Sequence, residues 1–252
     1  MKTYTITLFK RLAAIVLFAP TLAIASGGAL HLDKAPVSAD QQKLQRGAEL
    51  FVKYCLNCHS ASAVRYRTLQ KIGFDEQTIT DKLLYTSDKI GDLMTVSMAR
   101  ADAEAWFGIA PPDLSVIARA KASDFGSGAD YLYTYLRSFY KDENRPTGWN
   151  NKVLANAAMP HALWDMQGIQ TAVLEDDGHG GKTINLIAPT VPGSMSATEY
   201  DEAVADLVSF LVWMGEPGAE KRQFIGIFVI IFLLGYYVLT HKLGKSYWKN
   251  IH

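Results

Sequence analysis

Cys55-Leu56-Asn57-Cys58-His59 is the stretch on which the reading of this chain turns. Two thiols about one helical turn apart, followed at once by an imidazole, form the C-x-x-C-H signature of covalent haem attachment. Each sulfur reaches a porphyrin vinyl group and the histidine comes to lie beneath the iron. Both cysteines of the chain belong to this one motif. Competing readings fit less well. A redox-active C-x-x-C pair of thioredoxin type opens a helix in a strand-helix-strand unit, whereas a helical pattern precedes this one. A zinc site needs four ligands, and no second cysteine pair or close His-x-x-x-His completes the tetrahedron.

Upstream, Ser38-Ala39-Asp40-Gln41 has the form of a capping box with Ser38 as N-cap, opening a helix that runs into the motif. Leu44, Ala48, Phe51, Val52 and Cys55 recur at three- and four-residue intervals, so one apolar face leads to the first cysteine. Gly47 interrupts that face, where a second helix can approach closely. The matching helix is Thr198 to Met214, opened by a Thr-x-x-Asp box, with Val204, Leu207, Val208 and Leu211 on one side and Gly215 and Pro217 as its stop. A third helix is expected over Asp130 to Tyr140, with the stripe Tyr131, Leu132, Tyr135, Leu136 and Phe139. Ala110 to Leu114, Lys141 to Asn156 and Asp176 to Met195 are rich in Pro, Gly, Asn and Asp, and read as ordered loops over a cofactor.

The two ends of the chain differ in kind. Lys2, Lys10 and Arg11, the apolar run Leu12 to Leu22 and the small-x-small Ala23-Ile24-Ala25 read as a secretory signal peptide, residues 1–25. Phe224 to Thr240 carries no charge for seventeen residues, which as a helix cover about 26 Å of a hydrocarbon core about 30 Å thick. Apolar residues occupy every side of it, so a membrane anchor over 221–241 is expected rather than a core helix. His241, Lys242, Lys245 and Lys249 follow with no acidic residue, which predicts a cytoplasmic tail over 242–252. Residues 26–220 then form a periplasmic haem domain of a bacterial cell-membrane protein. Between Asp33 and Glu220 lie 17 Lys and Arg against all 25 Asp and Glu, a net of −8 that the overall neutrality hides. Such a surface suits a basic soluble partner and speeds encounter at low ionic strength. No nucleic-acid partner is expected.

An electron carrier commonly closes the sixth iron position with a Met thioether, which raises the reduction potential relative to a second imidazole. Met94, Met98, Met159, Met166, Met195, Met214, His161 and His179 are the candidates. Met159-Pro160 follows Asn156-Ala157-Ala158 in a small-residue stretch where proline stiffens the loop holding the sulfur. Met159 is preferred on that ground, with His161 as runner-up. Met94 and Met98 share a helical spacing and Met214 sits in a helix near the anchor, so core or surface roles suit those three.

In the order and spacing of its motifs the chain resembles the cytochrome c1 family, the anchored haem subunits of quinol:cytochrome c reductases, of proteobacterial type. The resemblance rests on Arg46-Gly47, Cys55 to His59, Tyr66-Arg67, Pro111-Pro112-Asp113-Leu114-Ser115, Asp130-Tyr131, Met159-Pro160, and Trp213 with Glu216-Pro217 ahead of the anchor. It implies a mainly α, class I cytochrome c-like haem domain with long loops and one C-terminal transmembrane helix. It further implies one covalent haem c with His59 and Met159 as axial ligands. Haem-pocket roles for Tyr66, Arg67, Pro112, Leu114 and Tyr131 are also implied. Where the family often places an Arg near a propionate, this chain has Lys121 after Arg119, and a lysine lacks the bidentate fork; the propionate partner stays open between Arg119 and Lys121. Leu174 to Gly178 resembles an acidic loop of the relatives. The implied partners are cytochrome b and a Rieske iron-sulfur subunit within the complex, and a soluble cytochrome c as acceptor. The chain is then an electron-transfer subunit with no substrate chemistry of its own. Rivals are a haem enzyme or gas sensor with an open iron, and an anchored carrier of another respiratory assembly.

Overall fold

The computed structural model describes residues 30–96, 98–176 and 182–249; the expected signal peptide and His179 lie outside them. Leu30 and His31 belong to a separate N-terminal unit, and all the elements named below belong to the unit from Leu32 to His252. Its base is a crossing of two helices, α1 (Gln41–Leu50) and a long helix near the C-terminal end of the domain (Ala197–Gly215). Leu44, Ala48, Phe51 and Val52 from the first, with Val204, Leu207, Val208 and Leu211 from the second, are all buried, as their periodicity predicts. Gly47 marks the crossing. A Cβ there would stand 2.1 Å from the Asp206 carbonyl oxygen, so only glycine permits this separation of the two backbones. Arg46 Nε reaches Asp206 Oδ2 at 2.7 Å beside it, and the Phe51 and Phe210 rings meet at 5.5 Å.

Both helices begin one signal away from the expected residue. Asp40, not Ser38, caps α1 by accepting from Lys43 N–H, while Ser38 N–H donates to Ser209 Oγ across the domain. The long helix is capped by a reciprocal box of Ser196 and Glu199. Asp201, the expected partner of Thr198, instead receives Arg137 Nε at 2.5 Å and Nη2 at 2.8 Å. Past Leu50, α1 continues as a single π-helical turn over Phe51–Cys55, with Leu56 N–H closing on Phe51 O. Such one-residue insertions recur at functional sites because they rotate the next residues onto a new face. Here they deliver Cys55.

Between these helices the chain forms β1 (Ala61–Arg65), a 3₁₀ segment (Tyr66–Ile72), α2 (Glu76–Lys82), β2 (Leu93–Met94), α3 (Arg100–Phe107), α4 (Ile117–Ala120) and α5 (Gly128–Arg137). Met94 is buried in β2, which pairs antiparallel with β1, and Met98 lies in a bend, so the two do not share a helix. The third helix ends at Arg137, earlier than its stripe suggested. Phe139 falls in β3 (Phe139–Lys141), which pairs with β4 (Trp149–Asn151) as a hairpin whose turn and second strand occupy the expected 141–156 loop. After α6 (Trp164–Gln167), β5 (Gly168–Asp176) and β6 (Lys182–Pro192) pair antiparallel over most of their length. The stretch from Asp176 to Met195 is therefore largely strand, not loop. The long C-terminal helix of the domain is α7, and α8 (Ala219–Tyr247) follows it after Glu216-Pro217-Gly218. Its residues 221–247 are long and apolar enough to cross a membrane and are not buried against the domain. Phe224 to Thr240, the expected anchor, lies wholly within it.

Asp130 ties the N-terminal strap to this frame. Its carboxylate accepts from Ala35 N–H (2.8 Å), Ser127 N–H (3.2 Å) and Lys34 Nζ (3.0 Å), and it is 4 % exposed. Burial alone would raise the carboxyl, but the bonds from Ala35, Ser127 and Lys34 outweigh it and hold the group at about 2. A depressed carboxyl contributes stability that is complete above its unfolded value near 4 and is lost as pH falls through about 2. Asp130→Asn is expected to cost about 2 kcal/mol at neutral pH and to flatten the stability-against-pH curve between pH ~4 and ~2. Urea midpoints measured across that window check both.

Candidate site around the Cys-x-x-Cys-His turn

Cys58 N–H and His59 N–H both donate to the Cys55 carbonyl, at 3.1 and 2.8 Å. That closed turn sets the two cysteines and the histidine on one short arc at the end of the π turn. Burial pushes the Cys55 thiol up to about 12, with Cys58 adding to the rise, and burial also raises Cys58. Both sulfurs are therefore protonated thiols at neutral pH, and neither is in a disulfide. Burial lowers His59 against the opposing pull of the Pro112 carbonyl and Asp113, so the ring is neutral. Nδ1 lies 2.8 Å from Pro112 O. A carbonyl only accepts, so Nδ1 carries the hydrogen and Nε2 keeps its lone pair.

The Pro112 carbonyl is itself held by its neighbours. Leu114 N–H donates to Ser60 O at 2.8 Å, immediately after His59. Asp113 Oδ2 accepts from Ser62 N–H (2.8 Å) and Ser62 Oγ–H (2.7 Å), and its Oδ1 accepts from Ser115 N–H (2.8 Å). Ala63 N–H in turn donates to Ser115 Oγ at 3.0 Å. Residues 112–115 are thus laced to residues 59–63 along their length. These bonds outweigh burial and depress the Asp113 carboxyl, so the strut is ionised at neutral pH.

The remaining expected residues are placed unequally. Leu114 is buried, and Tyr66 is fully enclosed with its hydroxyl bonded to Thr86 Oγ1 at 2.8 Å. Arg67 is exposed, and its N–H donates to Ile90 O at 2.7 Å. Tyr131 stacks on Tyr135 at 5.9 Å, and Lys121 Nζ lies 5.1 Å above the Tyr131 ring. Arg119 pairs with Glu216, which also takes Arg222. Met159 is half-buried against the core. His161 is 2 % exposed, stacked on Phe139 at 4.9 Å with the Trp149 edge at 5.1 Å, and burial lowers it to about 4. The structure brings His59 to Pro112 and Lys121 to Tyr131, and sends Tyr66 and Arg119 to Thr86 and Glu216.

Residues 31–251 match the sequence profile of the Cytochrome C1 family. The chain belongs to the cytochrome c1 family. It is 42% identical over 245 residues to cytochrome c1 of Allochromatium vinosum, covering 96% of this chain and 98% of that one. Cytochrome c1 of Rhodospirillum rubrum is 27% identical over 282 residues, 97% of this chain and 98% of that one. A protein of Nitrosomonas europaea named ammonia monooxygenase gamma subunit is 48% identical over 246 residues, 97% of this chain and 99% of that one.

Family membership makes this cytochrome c1 homologue an electron carrier and implies covalently bound haem c. The residues present fit that group: two protonated thiols one turn apart, and an imidazole whose tautomer leaves Nε2 for a metal. With α8, the family also makes it a membrane-anchored protein. Asp113 and Ser115, which carry no role in the family resemblance, brace the site here; an Asp between prolines and a Leu-Ser pair is the turn-forming signal in the sequence that points to them. Asp113→Ala leaves Ser62 and Ser115 N–H without their acceptor and is expected to lower the unfolding free energy by roughly 1–2 kcal/mol, with Asp113→Asn losing less. Equilibrium denaturation of the haem-containing protein checks it; equal stability of the alanine variant would show that the strut bears no load.

Proposed function

We propose that this chain passes single electrons from a Rieske iron-sulfur protein to a soluble cytochrome c, as the c-type subunit of a quinol:cytochrome c reductase. In this reading Cys55 and Cys58 carry the haem, and His59 and Met159 ligate its iron. The haem supplies reversible one-electron exchange at a positive potential. The chain's residues do the rest. Pro112, braced by Asp113, holds the His59 ring in one tautomer; Leu114, Tyr66 and Tyr131 exclude water; Arg119 and Lys121 are the cations at hand for a propionate. The observation that carries this reading is the His59 Nδ1–H to Pro112 bond, which turns a lone motif into a preorganised imidazole ligand within a full-length family match. The haem domain lies in the periplasm after removal of residues 1–25, and the tail after α8 lies in the cytoplasm. The acidic domain suits a basic acceptor.

A second assembly is favoured by one observation, the relative named for an ammonia monooxygenase. The electron carrier is the same in both readings and the neighbours differ. Mild-detergent purification of the tagged chain from its own membranes separates them. Copurification with a di-haem b-type subunit and an iron-sulfur protein is expected; recovery with monooxygenase subunits and without these two would replace the reductase reading.

Met159→Leu tests the axial ligand. The variant should keep its haem covalently bound, titrate at a clearly lower potential, and bind carbon monoxide rapidly when reduced, whereas the parent protein does not. An unchanged redox titration would remove Met159 from the iron. Rapid carbon monoxide binding by the intact parent would favour an open-iron enzyme or sensor.

A further inference from the structure

Three residues ahead of Met159, Asn156 has φ +62°, the only non-glycine residue with positive φ among the described residues. That conformation costs about 1 kcal/mol or more and persists only where the surroundings over-determine it. Here they do. Asn156 N–H donates to Asn150 Oδ1 at 2.8 Å, its Oδ1 accepts from Arg145 Nη1 at 3.1 Å, and its carbonyl accepts from Arg145 Nη2 at 3.0 Å. Both gripping side chains are themselves anchored. Asn150 Nδ2 donates to Asp142 Oδ2 at 2.9 Å, and Arg145 sits in a turn closed by its N–H on Asp142 O and by Gly148 N–H on Arg145 O. The fully buried Asn151 fixes the same hairpin from inside, its Oδ1 accepting from Val153 and Leu154 N–H and its Nδ2 donating to Tyr135 O.

Two residues beyond Met159 a second grip appears. His161 is buried between the Phe139 and Trp149 rings, and these two aromatics belong to β3 and β4, the strands of the hairpin whose turn supplies Arg145. One hairpin therefore holds both ends of the four-residue span Ala157 to Pro160. Within that span Ala157 is buried and Pro160 has a restricted backbone, so little freedom is left for the thioether.

We propose that the β3–β4 hairpin is the positioning element of Met159, clamping its segment at Asn156 through Arg145 and Asn150 and at His161 through Phe139 and Trp149. This rests on the reading of Met159 as axial ligand. A neutral thioether is a weak ligand, so its occupancy of the iron depends on how little the segment can move away. Arg145 is a positioning residue: its planar fork spans the side-chain and backbone oxygens of one asparagine, which an ammonium cannot reproduce.

The test uses full-length, membrane-extracted holoprotein and compares Arg145→Ala, Arg145→Lys, Asn156→Gly and Met159→Leu. The readouts are carbon monoxide binding by the reduced protein, the weak red band of thioether-ligated ferric haem, and covalent haem content. Arg145→Ala should bind carbon monoxide at least tenfold faster than the parent and lose most of the red band, with haem content unchanged. Arg145→Lys should fall between parent and alanine variant. Asn156→Gly keeps the backbone conformation and the carbonyl bond but loses the side-chain half of the fork, and should likewise fall between parent and Arg145→Ala; a rate equal to that of Arg145→Ala would overturn the backbone grip. If Arg145→Ala yields no haem-containing protein, Arg145→Lys decides: a rate at the parent's level overturns the clamp. Fast binding by Met159→Leu with both Arg145 variants at the parent's level overturns the clamp while the ligand assignment stands. No change in Met159→Leu removes the assignment, and the clamp with it.

Discussion

The constraint on which this molecule depends is a single acceptor, the Pro112 carbonyl, placed 2.8 Å from His59 Nδ1. An imidazole that is free to rotate and to exchange tautomers is a poor ligand, because half its states offer an N–H where a lone pair is needed. Proline is apt for the position, since its fixed φ limits where its carbonyl can point. The four bonds from residues 113–115 to residues 60–63 then make the carbonyl part of the same rigid body as the Cys-x-x-Cys-His turn. A contact 53 residues apart in sequence behaves as though it were local.

The two sides of the proposed iron site are built on different principles. The His59 side grows from the helix crossing at Gly47, where apolar packing supplies the stability and the π turn aims the cysteines. The Met159 side is held differently at its two ends, by asparagine and arginine hydrogen bonds at Asn156 and by aromatic packing on His161, both from one short hairpin. Helix packing tolerates small shifts poorly, because close-packed interiors have few alternative arrangements. Hydrogen-bonded loops hold shape through the mutual support of their bonds. For a carrier whose iron must change oxidation state with little movement, stiffness on both sides keeps the reorganisation small.

Much of this was legible in the sequence where the cause is local. The haem motif, the apolar faces of α1 and α7, the role of Gly47 and the uncharged stretch in α8 all come from spacing or hydropathy over fewer than twenty residues. The errors arose where distant partners decided the outcome. Thr198 lost its expected capping partner because Arg137, on α5, claims Asp201, and Ser196 with Glu199 took the cap instead. Ser38 yielded to Asp40 because its hydroxyl accepts from the Asp40 N–H and its own N–H is held by Ser209. The β5–β6 hairpin was hidden by Pro189 and Pro192 and by the Gly and Asp residues between its strands, all of which read as loop composition. Asn150 and Arg145 are invisible as structural residues until the chain has folded, since their value lies wholly in what they reach, whereas Asp113 is half-announced by its turn-forming motif.

The junction with α8 shows which effects dominate in fixing the domain above the bilayer. Arg119 from the segment after Ser115 and Arg222 from the start of α8 converge on Glu216, joining site and anchor through one carboxylate. The arginine side chains are 61% and 67% exposed, so each pair contributes at most about 1 kcal/mol and is screened by salt. The covalent connection does more. Only Glu216, Pro217 and Gly218 separate α7 from α8, and three residues span at most about 10 Å. That length caps how far the domain can stand from α8, and Pro217 restricts one of the connection's φ angles. The ion cluster then selects among the orientations open at that short distance.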